Sequence, residues 1–379
     1  MHHIAILGFG TVGSGIADAL TEDEKRIRAR LGEDLAIDYI LDLREFPDHP
    51  LGNRVVHDIN IILNDPRVEI VAEAMGGSHP AFEFSMACLK AGKSVVTSNK
   101  EVVANFGVEL LATARDHGVS YLFEASVGGG IPIIRPLVNE LTVHEVTAVN
   151  GILNGTTNFI LTSMRDHGSD FTQVLSEAQK LGYAEANPKA DIEGLDAARK
   201  IVILAAIAFG KMAKPEDILC EGITSVTPDD LKAAGLKEGT LKLVATAEKR
   251  EGGLMIMVCP RFVPDSLLLS HVDDVFNAVS VRTNVLGDVL FYGSGAGKLP
   301  TASAMEADIM EILCNRHVSP DALNWLRVDK GCLCDAEKCS FKWFIPGREE
   351  TLITEEMTID RAKSIAASCG AENIYRVLV

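Results

Sequence analysis

The N-terminal stretch of the chain contains the glycine pattern that most limits its possible folds. An apolar segment, residues 3–7, runs directly into Gly8-Phe9-Gly10-Thr11-Val12-Gly13, and an amphipathic stretch follows. Between a strand and a helix, this pattern gives a tight turn at the first glycine, backbone access to a pyrophosphate at the second and close helix packing at the third. We therefore predict a dinucleotide-binding fold in which these six residues contact the cofactor. A purely structural turn is the alternative.

Strands and helices alternate along the following sequence up to about residue 123. The predicted strands are Ala36–Leu41, Glu69–Ala74, Ser94–Thr97 and Ser120–Phe123, and the predicted helices are Ala81–Ala91 and Val102–His117. Repeated βα units form a parallel sheet, so the loops 75–78 and 97–100 are expected at the carboxyl ends of strands, where such sheets bind ligands. This places Lys100 near the nicotinamide; a lysine on the outer surface is the alternative.

The residues after the second strand bear on the choice of cofactor. Asp42 follows the strand and Arg44 lies two positions later. An acidic residue here hydrogen-bonds the 2′-hydroxyl of the adenine ribose and favours NAD, whereas a nearby arginine holds the 2′-phosphate of NADP. The sequence offers both side chains and leaves the choice between NAD and NADP open.

A second pattern begins at about Ile131 and predicts an α+β domain. Its predicted strands are Val143–Ile152, Leu241–Lys249, Leu254–Val263, His271–Thr283 and Val289–Tyr292, and two helices are predicted within Asn154–Lys180. The second and third of these strands alternate like a hairpin. A second glycine-rich turn, which includes Gly295 and Gly297, precedes a helix predicted at Thr301–Cys314. It either brings backbone close to the cofactor or is a flexible connector.

One helix of this second domain carries a charged end and an apolar end. Asp191 is a suitable N-cap for a helix predicted at Ile192–Phe209, whose second half is apolar almost all round and therefore buried. Asp196 and Lys200 are four residues apart and lie on one face. Glu185 precedes the helix and can reach this end. The alternative is that Asp196 and Lys200 form an ordinary surface pair.

Composition and charge argue against several classes of partner. The net charge is −17 without a block of basic residues, so nucleic acid and anionic membrane surfaces are poor candidates and a small-molecule substrate is expected. We also expect neither a signal peptide nor a membrane span. The eight cysteines lack the regularity of a disulfide framework, which favours the cytoplasm. Three of them (Cys332, Cys334, Cys339) are spaced like a thiolate metal site, but no histidine or second cysteine pair lies nearby.

Several ordered motifs make the chain resemble the homoserine dehydrogenases over roughly residues 1–315. They are GFGTVG at 8–13, SNKE at 98–101, EASVGGGIPII at 124–134, NGILNGTTNFIL at 150–161, GYAEANPKADIEGLDAARK at 182–200 and GSGAGKLPTASA at 293–304. The resemblance implies reversible, NAD- or NADP-dependent oxidation of L-homoserine to L-aspartate 4-semialdehyde, a step toward threonine, methionine and isoleucine. Another hydroxy-acid dehydrogenase and a non-catalytic nucleotide sensor are the alternatives.

The resemblance also implies the roles of particular residues. For catalysis it implies Lys100, Asp196 and Lys200, and for substrate binding Thr156, Gly182, Tyr183, Glu185 and Asp191. The substrate's ammonium group needs a carboxylate, for which Glu185 is expected, and its carboxylate can use amides near Gly182 and Tyr183. A lysine is a suitable base for the hydroxyl proton. Lys100 is the first choice, and Lys200 is expected to polarise the oxygen or bind the substrate.

By the same resemblance, residues 124–131 form a loop that binds a monovalent cation, expected to be Na⁺. The implied ligands are Glu124, through its side chain or backbone, and the carbonyl groups of Val127, Gly129 and Ile131. Oxygen ligands suit a hard cation, and the ion would have a structural role. A tight turn without a cation is the alternative.

The resulting fold class is α/β, with a Rossmann-like doubly wound dinucleotide-binding domain, an α+β substrate and dimerisation domain and a short C-terminal appendage. The expected domains are 1–130 for NAD(P) binding, with 298–318 packing back on it, 131–297 for substrate, catalysis and dimerisation, and 319–379 for the appendage. The last segment predicts strands at Phe341–Ile345 and Thr351–Glu355, a helix at Ile359–Cys369 and an edge strand at Ile374–Val379. This is not a full ACT domain. Its apolar strands need cover, which predicts a homodimer or higher homo-oligomer.

Overall fold

The computed structural model of the chain describes residues 1–315 and 323–379. The strands are His2–Leu7 (β1), Leu35–Leu41 (β2), Val55–Val56 (β3), Val68–Glu73 (β4), Ser94–Thr97 (β5), Tyr121–Leu122 (β6), Val146–Ile152 (β7), Lys211–Met212 (β8), Leu219–Cys220 (β9), Gly239–Arg250 (β10), Gly253–Pro264 (β11), Phe276–Thr283 (β12), Gly287–Ser294 (β13), Leu326–Arg327 (β14), Trp343–Pro346 (β15), Thr351–Ile353 (β16) and Tyr375–Val377 (β17). The α-helices are Thr11–Glu22 (α1), Glu24–Leu31 (α2), Ile59–Asn64 (α3), Ala81–Lys90 (α4), Lys100–Asp116 (α5), Ile134–Asn139 (α6), Gly155–His167 (α7), Phe171–Lys180 (α8), Lys189–Ile192 (α9), Leu195–Phe209 (α10), Pro228–Gly235 (α11), Lys298–Asn315 (α12) and Ile359–Ser368 (α13).

The chain divides into two compact units. The first comprises Met1–Glu140, Gly210–Met212 and Ala296–Arg327, and the second comprises Leu141–Phe209, Ala213–Gly295 and Val328–Val379.

The first unit is built on a parallel sheet of six strands in the order β3-β2-β1-β4-β5-β6. The strand order reverses between β1 and β4, and at such a point the loops after the two strands diverge and leave a crevice for a ligand. Apolar side chains of β1 and β4 pack with α1 and with Ala302, Met305 and Ile309 of α12. This architecture confirms the predicted doubly wound fold. Residues 316–318, which were also expected to pack here, lie outside the described residues.

The second unit is built on a mixed sheet of nine strands, ordered β13-β12-β7-β10-β11-β17-β15-β16, with β9 also paired to β11. The long strands β10 and β11 are antiparallel over their full length, which confirms the predicted hairpin. Helix α10 packs on β7, β10 and β11. Its residues 201–207 are all buried, as expected for a helix that is apolar on every side.

The helix predicted at Ile192–Phe209 is two helices in the structure. A short helix, α9, ends at Ile192, and α10 begins at Leu195. Gly194 between them has a φ of +82°, a conformation that interrupts a right-handed helix and that residues with a Cβ rarely adopt. The prediction that Asp191 is the N-cap was therefore wrong, because Asp191 lies within α9.

Two other predicted strands begin later than expected. Residues 268–271 form a 3₁₀ turn, so β12 begins at Phe276 rather than at His271. Likewise, residues 141–143 form a 3₁₀ turn before β7, which begins at Val146 rather than at Val143.

The C-terminal strands differ from the prediction in their surroundings. The predicted edge strand at residues 374–379 is the interior strand β17, which pairs in parallel with β11 and antiparallel with β15. Trp343 and Ile345 are 1% and 0% exposed, because β11 and α13 contribute to the same apolar cluster as these two residues. The expectation that these strands need an external partner was therefore wrong.

Candidate active site

The glycine turn after β1 has the geometry that a dinucleotide needs. Gly8 has a φ of +86°, and a Cβ on Gly13 would lie 1.9 Å from the carbonyl oxygen of Gly8. A Cβ on Gly10 would meet nothing within 4 Å, so the turn is open on that side. Thr11 and Val12 form the first turn of α1, whose free N–H groups face outward from the helix end. The side chain of Phe9 is buried and its N–H group donates to Asp42, so neither is available to a cofactor.

Asp42 closes one end of this turn. Its carboxylate accepts hydrogen bonds from Phe9 N at 2.7 Å and from the Arg44 guanidinium at 2.9 Å through each oxygen. The Arg44 guanidinium holds the pKa of Asp42 well below its usual range, so Asp42 is an anion. His57 Nδ1 lies 2.7 Å from the carbonyl oxygen of Asp42, and this contact raises the pKa of the imidazole.

A cleft of about 480 Å³ lies beside the turn, with a lining that includes Gly8, Gly10, Asp42, Arg44 and Met75. The lining combines open glycine backbone, a carboxylate at the end of β2 and apolar side chains. The glycine backbone suits phosphate groups, the carboxylate suits a ribose hydroxyl, and the apolar side chains suit an aromatic ring. The residues of the first unit therefore fit a nicotinamide dinucleotide.

A buried hydrogen-bond network joins the carboxyl ends of β4 and β5. Glu73 is 0% exposed, and its carboxylate accepts from Met75 N at 2.7 Å and from Thr97 Oγ1 at 2.6 Å. Thr97 Oγ1 accepts in turn from Asn99 N at 2.9 Å. Burial raises the pKa of Glu73 to about 7. This network was not predicted from the sequence.

Lys100 is the first residue of α5, immediately after this network. Asn99 caps the helix by accepting from Val102 N, and its amide donates to the carbonyl oxygen of Gly77 at 2.8 Å. Lys100 is half-buried and lies at the carboxyl edge of the parallel sheet. Its position is the one that the strand assignment predicted.

Asp196 and Lys200 form a buried ion pair on the first turns of α10. Lys200 Nζ lies 2.8 Å from Asp196 Oδ2, and the two side chains are 10% and 9% exposed. Lys200 Nζ also donates to the carbonyl oxygen of Leu153 at 2.6 Å. The ordinary surface pair considered above is therefore excluded. The ammonium group is held by a carboxylate and a carbonyl in a fixed direction.

Asn154 connects this pair to the residues before α10. Its amide nitrogen donates to Asp191 Oδ1 at 2.8 Å and to Asp196 Oδ2 at 2.9 Å. Its carbonyl oxygen accepts from Thr157 N and so caps α7. We did not select Asn154 from the sequence, although an asparagine directly before a helical segment is a recognisable N-cap signal.

The predicted substrate residues lie in the turn between α8 and α9. Thr156 Oγ1 donates to the carbonyl oxygen of Tyr183 at 2.6 Å, which ties the turn to α7. Gly182 has a φ of +78°, and the Tyr183 ring packs edge-on against Phe159. The side chain of Glu185 is exposed, while its carbonyl oxygen accepts from Gln179. The turn thus has a backbone held by hydrogen bonds, and the acidic side chain of Glu185 is exposed on its surface.

Two buried carboxylates, those of Glu124 and Asp308, lie at the glycine loop after β6. Glu124 accepts from the backbone N–H groups of residues 133–135, all at 2.8 Å, and so caps α6. Asp308 accepts from Glu124 N and from Arg135 Nη2. Burial raises the pKa of Glu124 and raises that of Asp308 to about 7.

Three buried residues of this loop present carbonyl oxygens. Val127 and Ile131 are 0% and 1% exposed, and Gly129 is also buried. Within residues 1–315 and 323–379 these three carbonyls accept no backbone hydrogen bond. Buried carbonyls normally have a partner, so the loop suits a cation that accepts oxygen ligands.

The remaining predicted sites have different surroundings. Gly295 packs on Asn277, whose amide would lie 2.0 Å from a Cβ at that position, and Gly297, with a φ of +124°, directly precedes α12. Their contact with the cofactor stays a prediction. All eight cysteines are free thiols. Among the described residues no group of three or more His, Cys, Asp or Glu side chains could hold a metal ion.

Comparison with known proteins gives a consistent result along the chain. Residues 8–124 match the sequence model of the homoserine dehydrogenase NAD-binding domain, and residues 132–310 match the model of the homoserine dehydrogenase domain that accompanies it. A homoserine dehydrogenase of Synechocystis sp. is 42% identical over 315 residues, which cover 82% of this chain and 73% of that protein. One from Bacillus subtilis is 39% identical over the same shares of the two chains.

Solved structures agree with the sequence comparisons. A homoserine dehydrogenase from Thiobacillus denitrificans superposes with a TM-score of 0.89 at 32% identity, over 100% of this chain and 98% of that one. A hyperthermophilic archaeal homoserine dehydrogenase in complex with NADPH superposes with a TM-score of 0.70 at 29% identity, over 82% and 97% of the two chains. In the described part of this chain, no helix has the length and apolar character to cross a membrane.

Proposed function

The chain belongs to the homoserine dehydrogenase family and is an NAD(P)-dependent oxidoreductase, and from this premise we propose how its own residues carry out the reaction. The reaction is the reversible oxidation of L-homoserine to L-aspartate 4-semialdehyde, a step of amino-acid biosynthesis. The nicotinamide, when bound, accepts the hydride. The protein must hold the amino acid, orient its hydroxyl group and remove the hydroxyl proton.

The observation that carries the proposed reaction centre is the buried pair of Asp196 and Lys200. The Lys200 ammonium has a fixed direction because it donates to Asp196 Oδ2 and to the carbonyl oxygen of Leu153. A donor held in this way can polarise an oxygen atom without reorganisation, which is the most effective form of electrostatic catalysis. We assign Lys200 to the substrate oxygen and Asp196 to the orientation of Lys200.

We assign Lys100 as the base that removes the hydroxyl proton in the oxidation direction and returns it in reduction. Its place at the carboxyl edge of the parallel sheet supports this role, because cofactors bind at that edge. A lysine side chain is long enough to extend from this edge toward a bound substrate, and its amino group can accept and return a proton.

We assign the α8–α9 turn to the amino-acid end of the substrate. Glu185 would pair with the ammonium group, and the N–H groups near Gly182 and Tyr183 would receive the carboxylate. Thr156 fixes the backbone of the turn through its bond to Tyr183. Asp191 shares the Asn154 amide with Asp196 and so connects the turn to the reaction centre.

The substrate assignment can be tested with one variant and one analogue. Glu185→Gln keeps the shape of the side chain and removes its charge, so the KM for homoserine should rise more than the KM for the cofactor. The analogue 4-hydroxybutyrate lacks the amine and should be a poor substrate. Equal use of homoserine and 4-hydroxybutyrate would instead support a dehydrogenase for another hydroxy acid, and no turnover of either would support a nucleotide sensor.

For the cofactor, we propose that NAD is preferred and that NADP is accepted. Anionic Asp42 would accept a hydrogen bond from the ribose 2′-hydroxyl and repel a 2′-phosphate, whereas exposed Arg44 can leave Asp42 and turn to the phosphate. In Asp42→Asn the ratio of kcat/KM for NADP to that for NAD should rise by about tenfold or more, because like charges placed together are costly in a binding site. An unchanged ratio would contradict this role of Asp42.

We also propose a monovalent cation, Na⁺, in the 124–131 loop. The carbonyl oxygens of Val127, Gly129 and Ile131 would be its ligands, with Glu124 contributing backbone oxygen and nearby negative charge. The ion would stabilise the loop rather than take part in the chemistry. Replacing Na⁺ by choline at constant ionic strength should lower the Tm, and equal Tm values in the two salts would contradict the site.

The remaining assignments concern organisation and location. We propose that residues 1–130 with α12 bind the cofactor and that the second unit, with 319–379 as its appendage, binds the substrate. We propose a homodimer that uses the open edge of the sheet at β13, where Tyr292 is 54% exposed and Leu286, directly before the strand, is 53% exposed. Eight free thiols suit a reducing cytoplasm. Sedimentation of wild type and of Tyr292→Glu tests the dimer, which the variant should weaken.

A further inference from the structure

Glu73 is a buried carboxyl group that the proposed reaction does not use. It is the last residue of β4 and lies opposite Thr97, the last residue of β5. Glu73 and Thr97 are both 0% exposed. Within the described residues no lysine, arginine or histidine forms an ion pair with Glu73, and burial raises its pKa to about 7. An unpaired buried carboxyl group is costly and needs an explanation.

The partners of Glu73 lie in the two loops that leave the carboxyl ends of β4 and β5. One carboxylate oxygen accepts from Met75 N at 2.7 Å, and the other accepts from the Thr97 hydroxyl at 2.6 Å. The same hydroxyl oxygen accepts from Asn99 N at 2.9 Å. Asn99 then donates its side-chain amide to the carbonyl oxygens of Met75 at 3.3 Å and Gly77 at 2.8 Å. The network closes on itself and fixes both loops together.

The network ends at the proposed base. Asn99 is the N-cap of α5, and Lys100 is the first residue of that helix. Lys100 N also donates to the carbonyl oxygen of Ser98 at 3.0 Å, so the turn that precedes the helix is closed. The backbone position of Lys100 therefore depends on the position of Asn99, which depends on Thr97 and Glu73.

Only a carboxylate satisfies all the donors at this place. Met75 N–H and the Thr97 hydroxyl both need an acceptor, and a carboxylate is an acceptor at each oxygen. A glutamine presents one oxygen and one NH₂ group, so one of the two donors would lose its acceptor. In a fully buried site such a loss shifts the backbone or leaves a donor unsatisfied.

We propose that Glu73 is a positioning residue for the oxidation of homoserine, whose carboxylate holds Thr97 and residues 75–77 so that the Asn99–Lys100 turn presents Lys100 in its reactive position. This inference rests on the proposed role of Lys100. It deepens that role, because it assigns the orientation of the base to a group that contacts neither substrate nor cofactor.

The first test compares Glu73→Gln with Glu69→Gln, which removes a carboxylate from an exposed position on the same strand. Glu73→Gln should lower kcat by roughly 10- to 100-fold, as expected when a catalytic group is misplaced by about an ångström. The KM for homoserine and the dissociation constant of NADH should change much less, and Glu69→Gln should behave as wild type. Wild-type kcat in folded Glu73→Gln would overturn the proposal.

The second test uses Thr97, which transmits the effect. Thr97→Val removes the hydroxyl at nearly constant volume and should lower kcat in the same way, whereas Thr97→Ser keeps the hydroxyl and should restore most of the activity. Equal activity of the valine and serine variants would overturn the proposal, because a packing role does not require the hydroxyl. Far-ultraviolet circular dichroism and Tm measurements show whether each variant folds. If Glu73→Gln does not fold, the comparison of Thr97→Val with Thr97→Ser tests the proposal in its place.

The decisive test is a double-mutant cycle with Lys100→Ala. If Glu73 acts through Lys100, adding Glu73→Gln to Lys100→Ala should cause no further loss of kcat. Independent, additive losses would overturn the proposal while leaving the role of Lys100 intact. Wild-type kcat in Lys100→Ala would overturn both this inference and the proposed role of the base.

Discussion

Two pairs of an aspartate with a cation, one in each unit of the molecule, show how burial changes the role of an ion pair. In the Asp42–Arg44 pair the arginine side chain is 62% exposed and the aspartate 9%. In the Asp196–Lys200 pair the lysine is 10% exposed and the aspartate 9%. Both carboxylates are therefore held in place, but only one of the two cations is.

The second partners of the cations explain this difference. The Lys200 ammonium also donates to the Leu153 carbonyl oxygen, and Asn154 donates to the same Asp196 oxygen that accepts from Lys200. Among the described residues, the Arg44 guanidinium donates its side-chain hydrogen bonds to Asp42. An exposed cation of this kind can change partners when a ligand arrives, whereas a buried and doubly bonded one keeps its direction. The first pair suits a choice between cofactors and the second suits catalysis.

The largest loss of stability is expected from Lys200→Ala. Removing the lysine leaves the Asp196 carboxylate buried without its cation, and breaking a buried ion pair costs about 3–5 kcal/mol of the free energy of unfolding. Urea denaturation of wild type and variant measures this. Lys200→Arg keeps the charge and should lose less. Equal midpoints for wild type and Lys200→Ala would show that the pair is solvated.

A third carboxylate, Glu73, extends the comparison to a buried group without a cation. Its pKa of about 7 in the folded protein lies above the ordinary value of 4.5, so the folded state binds the proton more tightly than the unfolded state does. The resulting stabilisation is complete below about pH 4.5 and is lost as the pH rises through about 7.

Glu73→Gln removes this titration and serves as the reference. The free energy of unfolding of wild type relative to Glu73→Gln should fall by about 3 kcal/mol between about pH 4 and about pH 8. Urea denaturation across this range measures the difference. A difference that is constant with pH would show that Glu73 has an ordinary pKa.

A smaller effect is expected at Asn154, which has two functions that two variants separate. Asn154→Ala removes both the cap of α7 and the bonds to Asp191 and Asp196, and loss of an N-cap alone costs about 1 kcal/mol of the free energy of unfolding. Asn154→Ser keeps a capping oxygen and loses the bonds to the aspartates. We expect Asn154→Ser to be nearly as stable as wild type but to have a lower kcat. Unchanged kcat would restrict Asn154 to the cap.

The smallest effect on stability is expected from Arg44→Ala. Exposed ion pairs contribute little, so the urea midpoint should stay close to that of wild type. The KM for NADP should rise, because the cation that turns to the 2′-phosphate is gone, while the KM for NAD should change less. A large loss of stability in this variant would contradict the contrast between the two pairs.

Sequence reasoning was most successful where backbone geometry depends on a residue type. The glycine turn at 8–13 and the positions of the loops after β4 and β5 followed from strand and glycine patterns alone. Asp196 and Lys200 followed from helical spacing, although the sequence left a surface pair open. Whether the pair is buried or exposed depends on the packing of α10 against β7, β10 and β11, and the spacing of two residues does not predict that packing.

The failures have two physical origins. Gly194 breaks a helix pattern that is otherwise continuous, and the strand at 375–377 has the sequence of an edge strand but pairs on both sides. Glu73 is the last residue of an apolar strand, a position at which a glutamate is commonly exposed. Only its hydrogen bonds with Met75 and Thr97 show its role. Contacts between segments distant in sequence decided the pairing of the strand and the role of Glu73, whereas Gly194 is a local signal that the apolar pattern of the helix concealed.

The most direct test of the account is the initial rate of homoserine-dependent cofactor reduction by Lys200→Ala and Arg44→Ala, each with saturating NAD and NADP. Lys200→Ala should lose roughly 10²- to 10⁴-fold in kcat with both cofactors, the range expected for a lost catalytic group. Arg44→Ala should keep wild-type kcat with NAD. Wild-type kcat in Lys200→Ala, or an equal loss in the two variants, would contradict the claim that the buried pair serves catalysis and the exposed pair serves cofactor choice.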